Sequence, residues 1–322
     1  MQSDDKEHIG LKTRLHARNL HRTPYDFDVL IQQETELSKY ISLNRKGART
    51  IDFADPKAVK LLNSSLLKAY YDVDVWQIPE GYLCPPVPGR ADYVHHISDL
   101  LGAKNYGKVP HGQGIKCLDI GVGANCIYPI IGHAEYGWSF VGADCDPKAL
   151  EAAQAIIDGN VSLIGHVQLR RQHDPRAFFS GIISDKDVFD LTLCNPPFHK
   201  SHSEAMKGTV RKNRNLHGEE KPPALRNFGG QNSELCYEGG ERQFISGMIK
   251  ESVRFGRVVH WFTTLVAKAA NVKAIYADLK SAEAREVKTI PIGQGNKGSR
   301  IIAWTFLFPS ERRKWADERW RS

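Results

Sequence analysis

The chain has 322 residues, 41% hydrophobic and 25% charged, which suits one large soluble domain or a core domain with an extension. No run of about 18 apolar residues occurs and the opening MQSDDKEHIGLKTR has no apolar core, so the reading is a cytoplasmic protein without a membrane span or secretory signal. The net charge of +7 suits a polyanionic partner without proving one.

In chain order, residues 1–30 are polar and basic, with Lys12, Arg14, Arg18 and Arg22 close together and no strong apolar stripe. They read as a flexible arm leading into a short helix near 26–40. ADPKAVKLLNSSLLKAYY is a helix: Asp55 caps, Pro56 fits the first turn, and Val59, Leu62, Leu66 and Tyr70 recur at helical spacing. A proline-rich loop, 78–90, precedes a helix in ADYVHHISDLL. His95 and His96 point different ways on it, so they read as packing residues.

From 115 strands and helices alternate. IKCLDI, WSFVGAD, HVQLRRQ, VFDLTLC and RVVHWFTTL are strands; DPKALEAAQAIID, ERQFISGMIKESVRF and VKAIYADLKSA are helices. EVKTIPI and SRIIAWTFLF look like a closing antiparallel pair. Such alternation predicts an α/β, doubly wound, mostly parallel sheet. The division is an N-terminal basic arm and mainly helical extension over 1–100, a sheet domain over 101–309 and a basic C-terminal tail over 310–322. The cysteines form no C-x-x-C and complete no zinc pattern. Cys117, Cys145 and Cys194 read as small core hydrophobes, and no metal is expected.

Two loops carry the chemistry. The first strand runs into LDIGVGANC, where Gly121 and Gly123 let the backbone turn sharply and approach a ligand. Cys126 stands where a third glycine would be needed, so the dinucleotide fingerprint is not met. Asp144, ending the second strand, suits a ribose diol; Asp146 is the better helix cap. An S-adenosylmethionine site fits this loop better than a nicotinamide site, with Asp119 placed for the methionine ammonium directly or through the loop amides.

The second loop is TLCNPPFHK. Pro196 and Pro197 cannot donate to a strand ladder, so they end the fourth strand in a stiff turn. An adenine amino nitrogen is a poor nucleophile, because its lone pair is delocalised into the ring. The Asn195 side-chain oxygen and the Pro196 carbonyl can accept its two N–H bonds, and Phe198 can stack on the base. Positioning beside an activated methyl then does most of the work. The basic stretch after this turn, within 199–240, offers Lys207, Arg211, Lys212 and Arg214 to phosphates; Arg14, Arg18 and Arg22 are a second candidate set.

The chain resembles the ribosomal RNA large-subunit adenine-N6 methyltransferase F family, relatives of the U6-type RNA adenine methyltransferases. The resemblance runs nearly end to end, through HARNLHRTPYDFDVL, CPPVPGRADYVHH, GVGANCIYPIIG, TLCNPPFH, NFGGQNSELCYEGGERQFI and SRIIAWTF. It implies a seven-stranded class I S-adenosylmethionine methyltransferase (Rossmann-like) fold. It further implies methyl transfer to N6 of one adenine in 23S rRNA, free or in an assembly intermediate. The sequence leaves the oligomeric state open, with a monomer favoured. By the same resemblance Arg90 reaches the cofactor, Asp144 holds its ribose, and Asn195, Pro196, Pro197 and Phe198 form the catalytic motif. Asp144 is shorter than the Glu of some relatives. DNA adenine and protein glutamine are rival acceptors, although glutamine enzymes usually end the motif in Tyr. A non-catalytic RNA-binding module is a third reading, and both motifs are intact.

Overall fold

The computed structural model describes residues 14–103, 105–197, 237–293 and 298–320. The extension contains α1 (Phe27–Gln33), a 3-10 stretch (Thr35–Tyr40), a hairpin of β1 (Ile41–Leu43) and β2 (Arg49–Ile51), α2 (Pro56–Tyr70) and α3 (Val87–Gly102). A seven-stranded sheet follows: β3 (Lys116–Ile120), β4 (Ser139–Asp144), β5 (Val167–Arg171), β6 (Phe189–Cys194), β7 (Val259–Val266), β8 (Glu286–Ile292) and β9 (Ser299–Thr305). Around it lie α4 (Ile127–Tyr136), α5 (Pro147–Asp158), α6 (Gly240–Ser252), α7 (Val272–Ser281) and α8 (Pro309–Arg319).

The sheet order is β5-β4-β3-β6-β7-β9-β8, parallel except for β9. This is the class I methyltransferase topology that the resemblance implies. Every residue of β6 and β7 is buried, while the edge strands β5 and β8 are half-exposed. Buried central strands read as continuous apolar runs because helices cover both faces. The order reverses between β3 and β6, and such a reversal opens a crevice at the carboxyl ends of the strands.

Capping explains the helix starts. The Asp55 carboxylate accepts from the N–H groups of Lys57 and Ala58 at α2, and Asp146 accepts from Lys148 at α5. Each cap is followed by a proline, whose missing N–H costs nothing in a first turn.

Four readings need correction. The helix near 26–40 is α1 followed by a 3-10 stretch. Residues 14–22 are not a loose arm: Leu15, Asn19 and His21 are buried, and the segment is latched onto α3. The His16 N–H donates to Asp92, and Arg18 donates to Ser98, Asp99 and Tyr136 at 2.8, 2.6 and 3.1 Å. Residues 309–319 form α8 and dock on the sheet. Cys145 is exposed, because it lies one residue past the end of β4.

The extension and the sheet share one apolar cluster, running from Phe27 and Leu66 through Ile130 and Trp261 to Trp320. Its Trp76 indole N–H donates to the Asn125 carbonyl at 2.9 Å, and the Tyr82 hydroxyl donates to Asp146 at 2.7 Å. The extension thereby roofs the loops at the carboxyl end of the sheet.

Candidate active site

β3 and β6 are paired so that Ile120 stands opposite Cys194. Gly121 and Asn195, the next residues, therefore emerge side by side at the reversal point. Gly121 and Gly123 have φ of +78° and +63°, the left-handed region that glycine tolerates without strain. The N–H groups of Gly121 and Val122 both donate to the Ala143 carbonyl, at 2.8 and 3.0 Å, folding the loop back over β4. A Cβ on Gly142 would meet Val122 Cγ2 at 2.8 Å, so that position must be small for the loop to lie flat. A Cβ on Gly121 would instead meet open space.

The crevice holds about 990 Å³ of empty space, open solvent included. Its floor is the glycine loop, Asp144 and Asn195. Arg90 from α3 and Tyr128 from α4 line one side, with Leu83 and Pro85 from the roof. Gln172, Pro175, Ala177 and Phe178 after β5, with Phe244 of α6, line the other.

Asp144 accepts from the Gly123 N–H at 2.9 Å and the Asp146 N–H at 3.0 Å, so its carboxylate is fixed at the loop rather than spent on capping α5. Burial still pushes its pKa up. Asp119 lies on β3 directly below the glycine loop. It is 1% exposed, and neither oxygen has a hydrogen-bond partner among the described residues. Burial pushes its carboxyl up to about 8; the Asp144 charge adds to the rise and Arg90 opposes it. The Arg90 guanidinium carbon stands 5.7 Å from the Tyr128 ring centroid. The Asn195 side-chain oxygen is also buried without a partner among the described residues. Unmade hydrogen bonds of this kind are costly and call for an explanation, and a ligand is one.

A family model described as RNA methyltransferase matches residues 9–308. The "Ribosomal RNA large subunit methyltransferase F" of Cytophaga hutchinsonii is 52% identical over 320 residues, 99% of each chain. The chain belongs to this RNA methyltransferase family. The protein of the same description in Pseudomonas aeruginosa is 51% identical, covering 95% of this chain and 92% of its own. Among solved structures, the catalytic domain of human METTL16 in complex with a MAT2A 3′UTR hairpin matches with a TM-score of 0.75 at 26% identity. That match covers 91% of this chain and 96% of the other.

Within this RNA methyltransferase, Arg90, Gly121, Gly123, Asp144, Asn195 and Pro197 come together around one crevice, with Asp119 beneath it. Phe198, Lys207, Arg211, Lys212 and Arg214 lie outside the described residues. Arg18 is tied up by Asp99 and Tyr136, and Arg22 donates to the Ala17 carbonyl at 3.3 Å. Arg14 is exposed. Asn125, Gln172, Phe178 and Phe244 line the crevice without having been singled out from the sequence. The only signal for Phe178 was the short apolar stretch AFFSGII inside the connection after β5.

Two carboxylates on α6 hold neighbouring loops, one of them in the crevice wall. Glu251 accepts from the N–H groups of Phe178, Phe179 and Ser180 at 2.7, 3.2 and 2.7 Å. Glu241, 1% exposed, accepts from Ala267, Lys268 and the Asn271 amide at 2.6, 3.1 and 2.6 Å. One helix thus holds the loop after β5 and the loop after β7.

Proposed function

We propose that the protein transfers a methyl group from S-adenosylmethionine to N6 of one adenine in 23S rRNA, acting in the cytoplasm on the rRNA or on a large-subunit assembly intermediate. The observation that carries this reading is the Ile120–Cys194 register, which sets a glycine loop beside an Asn-Pro-Pro turn. The description shared by the relatives at 51–52% identity supports the substrate.

The residues present fit the cofactor. The open space at Gly121 admits a ligand against the backbone, and the unpartnered Asp119 carboxylate suits a cationic group below it. Bound there, S-adenosylmethionine supplies a methyl group already activated on a sulfonium. Asp144 has lone pairs left for a ribose diol after its two backbone bonds. The Asn195 oxygen and the Pro196 carbonyl accept the two N6–H bonds and aim the nitrogen lone pair. The prolines fix two φ angles, so the acceptors cost little ordering when the base arrives. A base drawn from a helix must be swung out at a few kcal/mol, which favours a looped or unstacked adenine. Lys207, Arg211, Lys212 and Arg214 are proposed to meet RNA phosphates.

The test is labelled-methyl transfer onto 23S rRNA, DNA and protein from cells lacking the gene, followed by nucleoside mass spectrometry. Label recovered as N6-methyladenine in the rRNA is the expected result. Asn195→Ala should cut the rate by about a hundredfold or more. Label on DNA or on glutamine, or tight RNA binding with no label anywhere, overturns the proposal.

A further inference from the structure

Three side chains at the crevice or directly beneath it carry buried oxygens with no hydrogen-bond partner among the described residues: Asp119, Asn195 and Tyr128. The first two have roles in the reaction proposed above. Tyr128 has none so far. It is the second residue of α4, 3% exposed, and its ring packs edge-on against Tyr93 with centroids 5.3 Å apart. Tyr93 is itself anchored, its hydroxyl 2.7 Å from Thr263 Oγ1, so the Tyr128 ring has little freedom to turn away. It lines the crevice beside Arg90.

A tyrosine wanted only for packing would be served as well by phenylalanine, without an unmade hydrogen bond. The neighbours say what kind of group belongs there. Arg90 supplies a fixed positive charge on the same side, whereas the Asp119 carboxyl lies below and can ionise against a cation. An amino-acid zwitterion suits this pair: its ammonium toward Asp119, its carboxylate toward Arg90. The geometry points to Tyr128 as a further cofactor-binding residue, its O–H donating to the α-carboxylate of the methionine part beside Arg90. This rests on the S-adenosylmethionine reading.

The test compares Tyr128→Phe with wild type by calorimetric titration of two ligands. S-adenosylhomocysteine has the amino-acid end; 5′-methylthioadenosine lacks it. The thermal midpoint of each free protein is measured alongside. The variant should bind S-adenosylhomocysteine about tenfold weaker or worse, as expected for a lost hydrogen bond to a charged group. Its affinity for 5′-methylthioadenosine should be unchanged. Its free-protein midpoint should be little changed, because the only polar group beside the hydroxyl among the described residues is the Arg90 guanidinium, with which it makes no well-formed hydrogen bond. Equal losses for both ligands, or no loss for either, overturn the inference, as does a lowered midpoint accompanied by equal losses. Failure of the wild-type protein to bind S-adenosylhomocysteine is a different result, and it removes the cofactor reading itself.

Discussion

Asp119 and Asp190 sit on neighbouring strands of one sheet, 1% and 0% exposed, and the fold treats them oppositely. Asp190, on β6, gathers donors at the amino end of the sheet. Its oxygens accept from the Lys116 N–H at 2.8 Å, the Trp315 and Trp320 indoles at 2.7 Å each, and the Arg319 guanidinium at 3.2 and 3.0 Å. Asp119, at the carboxyl end of β3, has no donor among the described residues. A buried carboxylate is tolerable when paired and hydrogen-bonded, and costly otherwise. One end of the sheet is completed by folding; at the other the Asp119 oxygens stay open among the described residues.

The contrast breaks most readily at the satisfied end. Asp190→Asn keeps the size but removes the charge and turns an NH2 toward donors. It should cost about 3 kcal/mol, read as a lower urea midpoint, with methyl transfer per folded molecule retained. Loss of activity at unchanged stability would mean that α8 serves the site rather than the fold.

Asp119→Asn sharpens the contrast with a smaller effect. The wild-type carboxyl, raised to about 8, keeps its proton in the free folded protein where the unfolded chain has lost it above about pH 4. The folded state then binds more protons, so stability falls as pH rises between those values. The variant should lack that slope. A cationic cofactor selects the ionised form, so binding at pH 7 should release close to one proton in wild type and none in the variant. Calorimetry in two buffers of different ionisation enthalpy reads this directly. The variant's affinity should fall about tenfold. Matching proton release in the two proteins would take Asp119 out of the site.

What could be read from the chain follows the same division. Strand alternation exposed the sheet, because buried strands repeat a local pattern. The two loops stood out because Gly121, Gly123, Pro196 and Pro197 announce special backbone. Helix α4 was hidden by Pro129 and Gly132, which look like breakers. Pro129 is in fact the third residue of the helix, where its missing N–H loses nothing. The tether of Arg18 was invisible because Asp99 lies 81 residues away. The crevice wall was equally hidden: Phe178 and Phe244 meet at 4.8 Å from separate elements with no shared periodicity.

Glu251 supplies the case between the two aspartates: a carboxylate with all its work done, at the open end. Its three backbone N–H partners carry Phe178 into the crevice wall, and Gly247 of the same helix leaves room for that ring, since a Cβ there would meet Phe178 at 2.9 Å. Glu251→Gln keeps length but leaves one acceptor oxygen, which cannot hold the three donors that now share two. The loop after β5 should loosen while Asn195, held at the end of β6, stays in place. KM for S-adenosylmethionine should then rise about fivefold, with kcat and RNA affinity unchanged. Steady-state kinetics with each substrate varied in turn separates this from a general loss of folded enzyme, which lowers kcat and leaves KM alone. A fall in kcat alone would place the brace among the purely structural contacts, with Asp190.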